Sequence, residues 1–168
     1  MSRAYIGIDN GVTGSIGTIL PNRSYFERTP SKKEQSYTKK KQNISRIDVV
    51  ALEEDIASVC STFRVRAAIE RPLVNPGMFK ATLSAMRALE ATLTVLERLG
   101  IGYEYLDSKE WQKALLPTGT KGSTELKKAS ADIGKRLYPH LSEQIDKQKD
   151  ADGLLIAHYL MTKYKQEP

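Results

Sequence analysis

The first thirty residues carry short apolar runs of the length typical of β-strands. Residues 4–9 (AYIGID) form a strand-like run that ends on an acid, and an Asn-Gly pair then marks a tight turn. Residues 13–20 and 24–29 continue the pattern, with a Pro-Asn turn between them. The chain is therefore expected to begin as an antiparallel meander of three strands.

Helical stripes and strand-length runs alternate through the rest of the chain. Between residues 80 and 99, Met86, Leu89, Leu93 and Leu96 recur at 3-4-3 spacing, which predicts the longest helix. The other elements predicted here are a helix over 46–60, strands over 65–70 and 101–106, and helices over 109–115 (with Ser108 as N-cap), from 123 to about 137 and from near Asp150 to about Tyr164. A meander followed by β-α units predicts an α/β fold with a central mixed five-stranded sheet flanked by helices.

Residues 30–43 are rich in Lys, Ser, Gln and Thr and have almost no large apolar side chains. This composition predicts a long hairpin tip or a mobile arm over about residues 30–45. Residues 22–46 hold eight of the 26 basic residues and two of the 20 acidic ones, so eighteen of each remain elsewhere. This one segment carries the whole net charge of +6, which is typical of a phosphate-binding surface, although a solvated basic loop would give the same count.

The 168 residues, 40% hydrophobic and 27% charged, suit a single domain over 1–168, with Trp111 expected in its core. No apolar run reaches the roughly 18–20 residues that cross a bilayer, and the N-terminus has no apolar segment of the signal-peptide kind. Cys60 is the only cysteine, so neither an intrachain disulfide nor a cysteine-based metal cage can form. These features predict a cytoplasmic protein with no membrane partner.

Four acidic residues stand where a strand or a helix would present them to a ligand. Asp9 and Glu70 each end a predicted strand, where burying an unpaired carboxylate would be costly. Asp150 and Asp152 stand at the start of the last helix, whose free N–H groups favour anions. If the two strands are neighbours, these carboxylates meet at one edge of the sheet and repel one another unless a cation compensates. Oxygen ligands favour Mg²⁺ or Mn²⁺ over zinc, and two such ions can support phosphodiester hydrolysis.

Each of these acids also has a local explanation. Asp9 could be a turn residue before Asn-Gly, and Glu70 could pair with the adjacent Arg71. Asp150 could serve only as an N-cap, and Asp152 could serve only the dipole of its helix. The acids occur in the order of an Asp at the end of a strand, a Glu at the end of a strand and an Asp in a helix. This order favours a joint metal site over four separate explanations.

Three motifs resemble those of the RuvC-type Holliday-junction resolvases, a family of RNase H-like nucleases. YIGIDNGVTGSIG resembles their first strand and hairpin, AAIERP their second acidic strand, and DADGLLIAHYL their final helix. KGSTELKKASADIGKRLYP resembles the lysine-bearing segment before that helix in phage-encoded members, which hints at a phage protein. The resemblance covers nearly the whole chain and implies an RNase H-like fold.

By this resemblance the chain would be a homodimeric endonuclease that cleaves four-way and other branched DNA, leaving 5′-phosphate and 3′-hydroxyl ends. Asp9, Glu70 and Asp152 would bind two Mg²⁺ or Mn²⁺ ions. The bacterial enzymes carry a fourth ligand three residues before the last Asp, and here that position is Lys149. Asp150 could take this role, with Asp146 as a more distant candidate.

The resemblance also implies which residues contact DNA and the second subunit. The helix over 80–99 would help to form the dimer, and Phe79 would enter the junction as a wedge, unless it packs at the helix start. The candidate DNA contacts are Lys39, Lys40, Lys41, Arg71, Lys121, Lys127, Lys128 and Lys135. A solvated helix face is the alternative for the lysines near the predicted helix over 123–137.

Three other functions stay open at this point. Ile-Gly-Ile-Asp-x-Gly also resembles the first phosphate motif of sugar and acetate kinases, although those folds need two such domains and a second glycine-rich motif that this sequence lacks. A non-catalytic nucleic-acid binder on the same fold would have lost an acidic ligand, and Lys149 is the one warning of that. A nuclease that acts on flaps or RNA–DNA hybrids would carry the same motifs.

Overall fold

The structure is a computed structural model that describes residues 1–165, with seven strands and six α-helices in that range. The strands are β1 (Arg3–Ile8), β2 (Ser15–Ile19), β3 (Ser24–Arg28), β4 (Ser31–Gln35), β5 (Asn43–Ile47), β6 (Arg64–Glu70) and β7 (Gly102–Leu106). The helices are α1 (Val49–Cys60), α2 (Phe79–Arg98), α3 (Ser108–Leu115), α4 (Ser123–Leu137), α5 (Ser142–Gln148) and α6 (Asp152–Lys165). None of these helices has the length and apolarity needed to cross a membrane.

Five strands form one mixed sheet in the order β3-β2-β1-β6-β7. β2 runs antiparallel to β1 and β3, whereas β6 runs parallel to β1 and β7. Side chains alternate between the two faces of the sheet, so Ile6 and Ile8 pack with α1 and α2, and Tyr5 packs with α3 and α6 on the other side. This arrangement confirms the predicted mixed five-stranded sheet flanked by helices.

Glycines at the centre of the sheet allow α6 to lie directly on it. Gly7 and Gly17 are paired across β1 and β2, and a Cβ at either position would collide with the backbone of α6. On the helix itself, Gly153 has no room for a Cβ against the backbone of Ser15, and its N–H donates to Ser15 Oγ at 3.1 Å. These contacts fix the start of α6 beside the β1–β2 hairpin.

The basic segment forms a β-hairpin that stands apart from the main sheet. β4 and β5 pair antiparallel as a two-stranded sheet, and the Asp48 N–H closes its base by donating to the Pro30 carbonyl at 3.0 Å. Ile47 anchors the base in the core formed with α1 and α2. Residues 36–42, here called the basic tip, join the two strands and include three consecutive exposed lysines.

The starts of α1 and α3 differ from the predicted ones. The helix predicted over 46–60 begins at Val49, because residues 43–47 pair with β4 and Asp48 then serves as N-cap, accepting from the Ala51 N–H at 3.3 Å. Ser108 is the first residue of α3, and Asp107 is its N-cap. A strand that pairs with a distant partner is not encoded in local helical spacing, which explains the first error.

The chain between α4 and α6 contains a helix that the sequence did not predict. α5 follows a 3-10 turn at Pro139–Leu141, and Ile145 is its one buried apolar side chain. A single apolar position gives no periodic stripe to recognise. α6 accordingly begins at Asp152, two residues after the predicted start.

Candidate metal centre

Three of the four acidic residues predicted to form the site meet beyond the end of β1. Asp9, Asp150 and Asp152 each offer a carboxylate oxygen, and these oxygens lie within 4.8 Å of one another. Asp9 directly follows β1, and its N–H donates to the Ser15 carbonyl at 3.0 Å, which holds the start of the hairpin. Asp152 is the first residue of α6. The close packing of α6 on the sheet therefore brings the two ends together.

The turn that carries Asp150 and Asp152 is held by α4. Ser130 is fully buried, donates to Asp152 Oδ1 and accepts from the Ala151 N–H at 3.0 Å. One turn further along α4, Gly134 gives room for the Ala151 side chain. Asp150 is only 1% exposed, and its Oδ1 accepts from the Asp152 N–H at 3.3 Å. Asp150 thus accepts from the first N–H of α6 and also lies in the carboxylate cluster, so a role at the helix start and a role in the cluster are compatible.

Glu70 lies next to this cluster on the neighbouring strand. Ile8 and Ile69 are parallel partners, so Asp9 and Glu70 follow equivalent positions on β1 and β6. Among the described residues, the group within 4.8 Å does not include Glu70. One of its oxygens, Oε2, instead accepts a hydrogen bond from Trp111 Nε1 at 2.6 Å.

Burial and mutual repulsion raise the pKa of the clustered carboxyl groups. Burial raises the pKa of Asp9 well above its usual range, and repulsion from Asp152, Glu70 and Asp150 adds to it. Burial, then repulsion from Asp150, raises the pKa of Asp152 to about 7, against the opposing effect of the Ser130 hydrogen bond. For Glu70, burial raises the pKa and the Trp111 hydrogen bond opposes the rise. Clustered oxygen donors whose charges are this costly to hold together fit a hard divalent cation.

One lysine reaches the cluster. Lys127 Nζ lies 3.4 Å from Asp150 Oδ2, and this charge lowers the pKa values of Asp9 and Asp152. The side chain of Lys127 is otherwise largely exposed, so it can also meet a negative ligand that approaches the site. The charge of one lysine does not compensate the charges of four carboxylates. The cluster therefore requires further positive charge if all four carboxylates are ionised.

The other basic residues predicted to contact DNA lie around the site or far along the chain from it. Arg71 follows Glu70 and pairs with Asp107 at 3.0 Å, not with Glu70. Lys121 and Lys128 are exposed near the start of α4. Lys135 is engaged by Asp146 at 2.6 Å. The remaining predicted contacts, Lys39, Lys40 and Lys41, are exposed on the basic tip.

Phe79 is 70% exposed at the first position of α2. The alternative interpretation, in which Phe79 packs at the start of its helix, does not fit this exposure. Leu73, Val74 and Met78 are exposed in the same stretch between β6 and α2. Leu73 and Met78 line one pocket together with Glu70, so exposed apolar side chains suited to an apolar partner lie next to this acid.

The candidates for the fourth acidic ligand lie at different distances from the cluster. Asp146, the more distant candidate, is 65% exposed and paired with Lys135 on the surface. Lys149 ends α5 in a left-handed conformation with φ of 72°, which turns the chain into the buried Asp150. Of these candidates the structure brings Asp150 to the cluster.

Sequence reasoning missed two residues that hold the site acids. Ser130 lies on the same face of its helix as Leu126 and Gly134. A small polar residue on the inner face of an amphipathic helix was the sequence signal that could have indicated its contact with the site. Trp111 was predicted as a core residue, and its burial confirms this. The sequence offers no indication that its one polar atom meets Glu70, because 41 residues separate the two.

Comparison with known proteins identifies the fold through structure alone. Neither a protein-family model nor a curated protein matches the chain. Thermus thermophilus RuvC in complex with a Holliday-junction substrate aligns with a TM-score of 0.55 and 14% identity over 95% of this chain and 96% of that one. Another structure of Thermus thermophilus RuvC aligns with a TM-score of 0.50 and 17% identity over the same shares.

The chain therefore has an RNase H-like α/β fold. Within that class its architecture is that of RuvC, as the sequence motifs predicted. The agreement extends over nearly the whole of both chains, so the fold is matched as a unit and not through one shared motif.

Proposed function

We propose that this chain is a divalent-cation-dependent endonuclease that cuts four-way DNA junctions. The observation that carries the proposal is the cluster of Asp9, Asp150 and Asp152, with Glu70 beside it, in a fold like that of RuvC. The Thermus protein of the same fold is bound to a Holliday-junction substrate, which supports this class of substrate.

Asp9, Asp150 and Asp152 would hold one Mg²⁺ or Mn²⁺, and Glu70 with Asp9 would contribute to a second. Bound there, such cations supply Lewis-acid stabilisation of the charge that develops during phosphodiester hydrolysis. Ser130 keeps Asp152 in one orientation, so that the carboxylate needs little rearrangement on loading. Lys127, which lies 3.4 Å from Asp150 and is otherwise largely exposed, would contact a backbone phosphate.

Positive charge around the site would hold the DNA. Arg71, which follows Glu70, and the exposed Lys121 and Lys128, near the start of α4, would contact the nearest phosphates. The basic tip would contact a duplex arm farther from the cut, through Lys39, Lys40 and Lys41. Phe79 would enter the open centre of the junction, where its exposed ring can stack on bases.

Symmetric cleavage of a four-way junction needs two such sites, and we propose that α2 forms the dimer. Leu83 and Met86, near the N-terminal end of this helix, are 37% and 39% exposed, whereas its buried residues lie between Ala88 and Leu96. An apolar helix surface of this kind is suited to an isologous contact with a second copy of the chain.

A cleavage panel tests the substrate class. Wild-type protein with Mg²⁺ would be incubated with a four-way junction, a flap, an RNA–DNA hybrid and a linear duplex of matched sequence. We expect paired, symmetric cuts in the junction and slower or no cutting of the others. Faster cutting of flaps or hybrids would favour the alternative nuclease, and binding without cutting of any substrate would favour a non-catalytic binder.

A further inference from the structure

We propose that Trp111 is a positioning residue that orients Glu70 for cation binding. Trp111 is completely buried, and its indole N–H lies 2.6 Å from Glu70 Oε2. The inference rests on the proposed function in one respect, namely that Glu70 belongs to a cation site. It assigns to the only tryptophan of the chain a role beyond packing.

The fold fixes this contact through two neighbouring strands. Glu70 and Leu106 are parallel partners at the ends of β6 and β7, and the Arg71 N–H donates to the Leu106 carbonyl at 2.9 Å. α3 begins two residues after Leu106, and Trp111, at the end of its first turn, contacts the last residue of β6. The Arg71–Asp107 ion pair, at 3.0 Å, joins the two connections on the surface.

A second contact fixes α3 from the other side. Tyr159 of α6 donates a hydrogen bond to Glu110 Oε1 at 2.8 Å, one residue before Trp111. Trp111 also packs in the core with buried residues of α6, such as Leu155. The helix that supplies Asp152 and the helix that supplies Trp111 are thus held together, and the indole has little freedom to leave Glu70.

The chemistry of the pair explains what the contact does. An indole N–H can only donate a hydrogen bond, and an ionised carboxylate can only accept one. The contact between Trp111 and Glu70 therefore has a single possible direction. Because Oε2 is held by Trp111, the other oxygen of Glu70 is left to a cation in one fixed orientation.

A purely structural tryptophan would behave differently. Loss of packing would lower stability without changing cation affinity, since an apolar ring of similar size could fill the same space. A partner that orients a ligand affects metal affinity or activity by about 10–100-fold when it is removed. Cation affinity, measured apart from stability, therefore distinguishes the two roles.

The test uses the full-length protein with the tryptophan replaced biosynthetically by 3-benzothienylalanine, in which sulfur takes the place of the N–H. We expect this protein to bind Mg²⁺ about 10–100-fold more weakly by isothermal titration calorimetry, at nearly unchanged melting temperature. Trp111→Phe should show the same loss. The control is Phe26→Leu, another buried aromatic position of the same core, which should lower the melting temperature and leave Mg²⁺ affinity unchanged.

The wild-type protein provides a readout that needs no variant. Since Trp111 is the only tryptophan, its fluorescence should change saturably on Mg²⁺ titration, and this change should be absent in Glu70→Gln. The inference would be overturned if the benzothienylalanine protein bound Mg²⁺ as tightly as the wild type. It would also be overturned if the tryptophan fluorescence of the wild type did not change while calorimetry showed Mg²⁺ binding. If the wild type cuts no DNA but its Mg²⁺ affinity depends on the indole, the inference stands and the proposed function fails.

Discussion

Three of the four acidic side chains of the candidate metal centre are held by a neighbour from another part of the chain. Asp152 accepts from Ser130, and Glu70 accepts from Trp111. Asp150 both accepts from the first N–H of α6 and faces Lys127. Such partners keep the carboxylates close together although their charges repel, and the cost is visible in the raised pKa values of Asp9 and Asp152.

This cost predicts an unusual pH dependence of stability in cation-free protein. The pKa of Asp152 is about 7 in the folded state, above the value of 3.8 that we take for the unfolded chain. A carboxyl whose pKa rises on folding favours the folded state at low pH, and that contribution is lost as the pH rises through about 7. With EDTA present, the melting temperature should therefore fall by several degrees between pH 5 and pH 8.

Asp152→Asn is the matched variant for this measurement, because the amide keeps the shape of the side chain and does not titrate. Its melting temperature should decline less over the same pH range. Mg²⁺ should stabilise the wild type more at pH 8 than at pH 6, because protons compete with the cation at the lower pH. A wild-type melting temperature that rises steadily from pH 5 to pH 8 in EDTA would contradict this account of the cluster.

At the scale of whole elements, the contact between α6 and the β1–β2 hairpin determines where the acids meet. The contact depends on backbone approaching backbone at Gly7, Gly17 and Gly153. A methyl group added at one of these glycines would meet backbone atoms, which cannot move aside as a flexible side chain can. The helix would have to move outward, and Asp152 would move away from Asp9.

Gly17→Ala tests this arrangement directly. We expect it to lower the free energy of unfolding by at least about 3 kcal/mol, the upper part of the usual range for overpacking, because the colliding atoms belong to the α6 backbone. Gly102→Ala is the control, since nothing lies within 4 Å of its added Cβ. Chemical denaturation of both variants gives the comparison, and equal stabilities would show that α6 does not depend on the glycine.

Elements with strong local patterns could be predicted from the sequence, and those that depend on distant partners could not. β1, β6 and α2 lie within a residue of their predicted bounds, because apolar runs and the 3-4-3 stripe are local signals. β5 was placed partly in a helix, since its register is set by β4 and not by its own residues. α5 escaped prediction because only Ile145 of its seven residues is buried.

The same division applies to the site. Asp9 and Glu70 could be placed on adjacent strand ends because each follows a strong apolar run. The contribution of Asp150 could not be separated from simple capping, since a capping aspartate and a buried ligand look alike in sequence. Ser130 and Trp111 are 22 and 41 residues away from the acids that they contact, and only the folded structure brings them together.

For the molecule as a whole, the separation of charge is the main feature. The acidic cluster lies at one end of the sheet, and the excess positive charge lies on residues 22–46, which include the hairpin that ends in the basic tip. A polyanion could therefore be held by the hairpin while the cation site meets one phosphate.

The contribution of the basic tip can be measured through the salt dependence of junction binding. Replacing Lys39, Lys40 and Lys41 by alanine should reduce the slope of log K against log salt by up to about 2.7, or about 0.9 for each lost phosphate contact. The control changes the net charge equally by replacing three basic residues outside the hairpin that are paired with acids, Arg98, Lys147 and Lys163. Equal slopes for the two triple variants would show that the tip has no special role.

The proposed dimer has its own test at this scale. Leu83→Glu combined with Met86→Glu places two charges on the exposed surface of α2 and should yield a monomer by light scattering that binds junctions poorly. Glu90→Gln, at another exposed position of the same helix, should leave the dimer intact. A wild-type protein that is monomeric at micromolar concentration would contradict the proposed assembly.

The central claim, that the carboxylate cluster cuts branched DNA with the help of divalent cations, is tested most directly by Asp9→Asn. Cleavage of a four-way junction by this variant and by wild type would be measured in Mg²⁺, with junction binding measured in Ca²⁺. We expect cleavage to fall by more than about 100-fold, since even an indirect partner of a metal ligand contributes about 10–100-fold, while binding stays within a few-fold of wild type. If Asp9→Asn cuts the junction as fast as the wild type, the cluster is not the catalytic site.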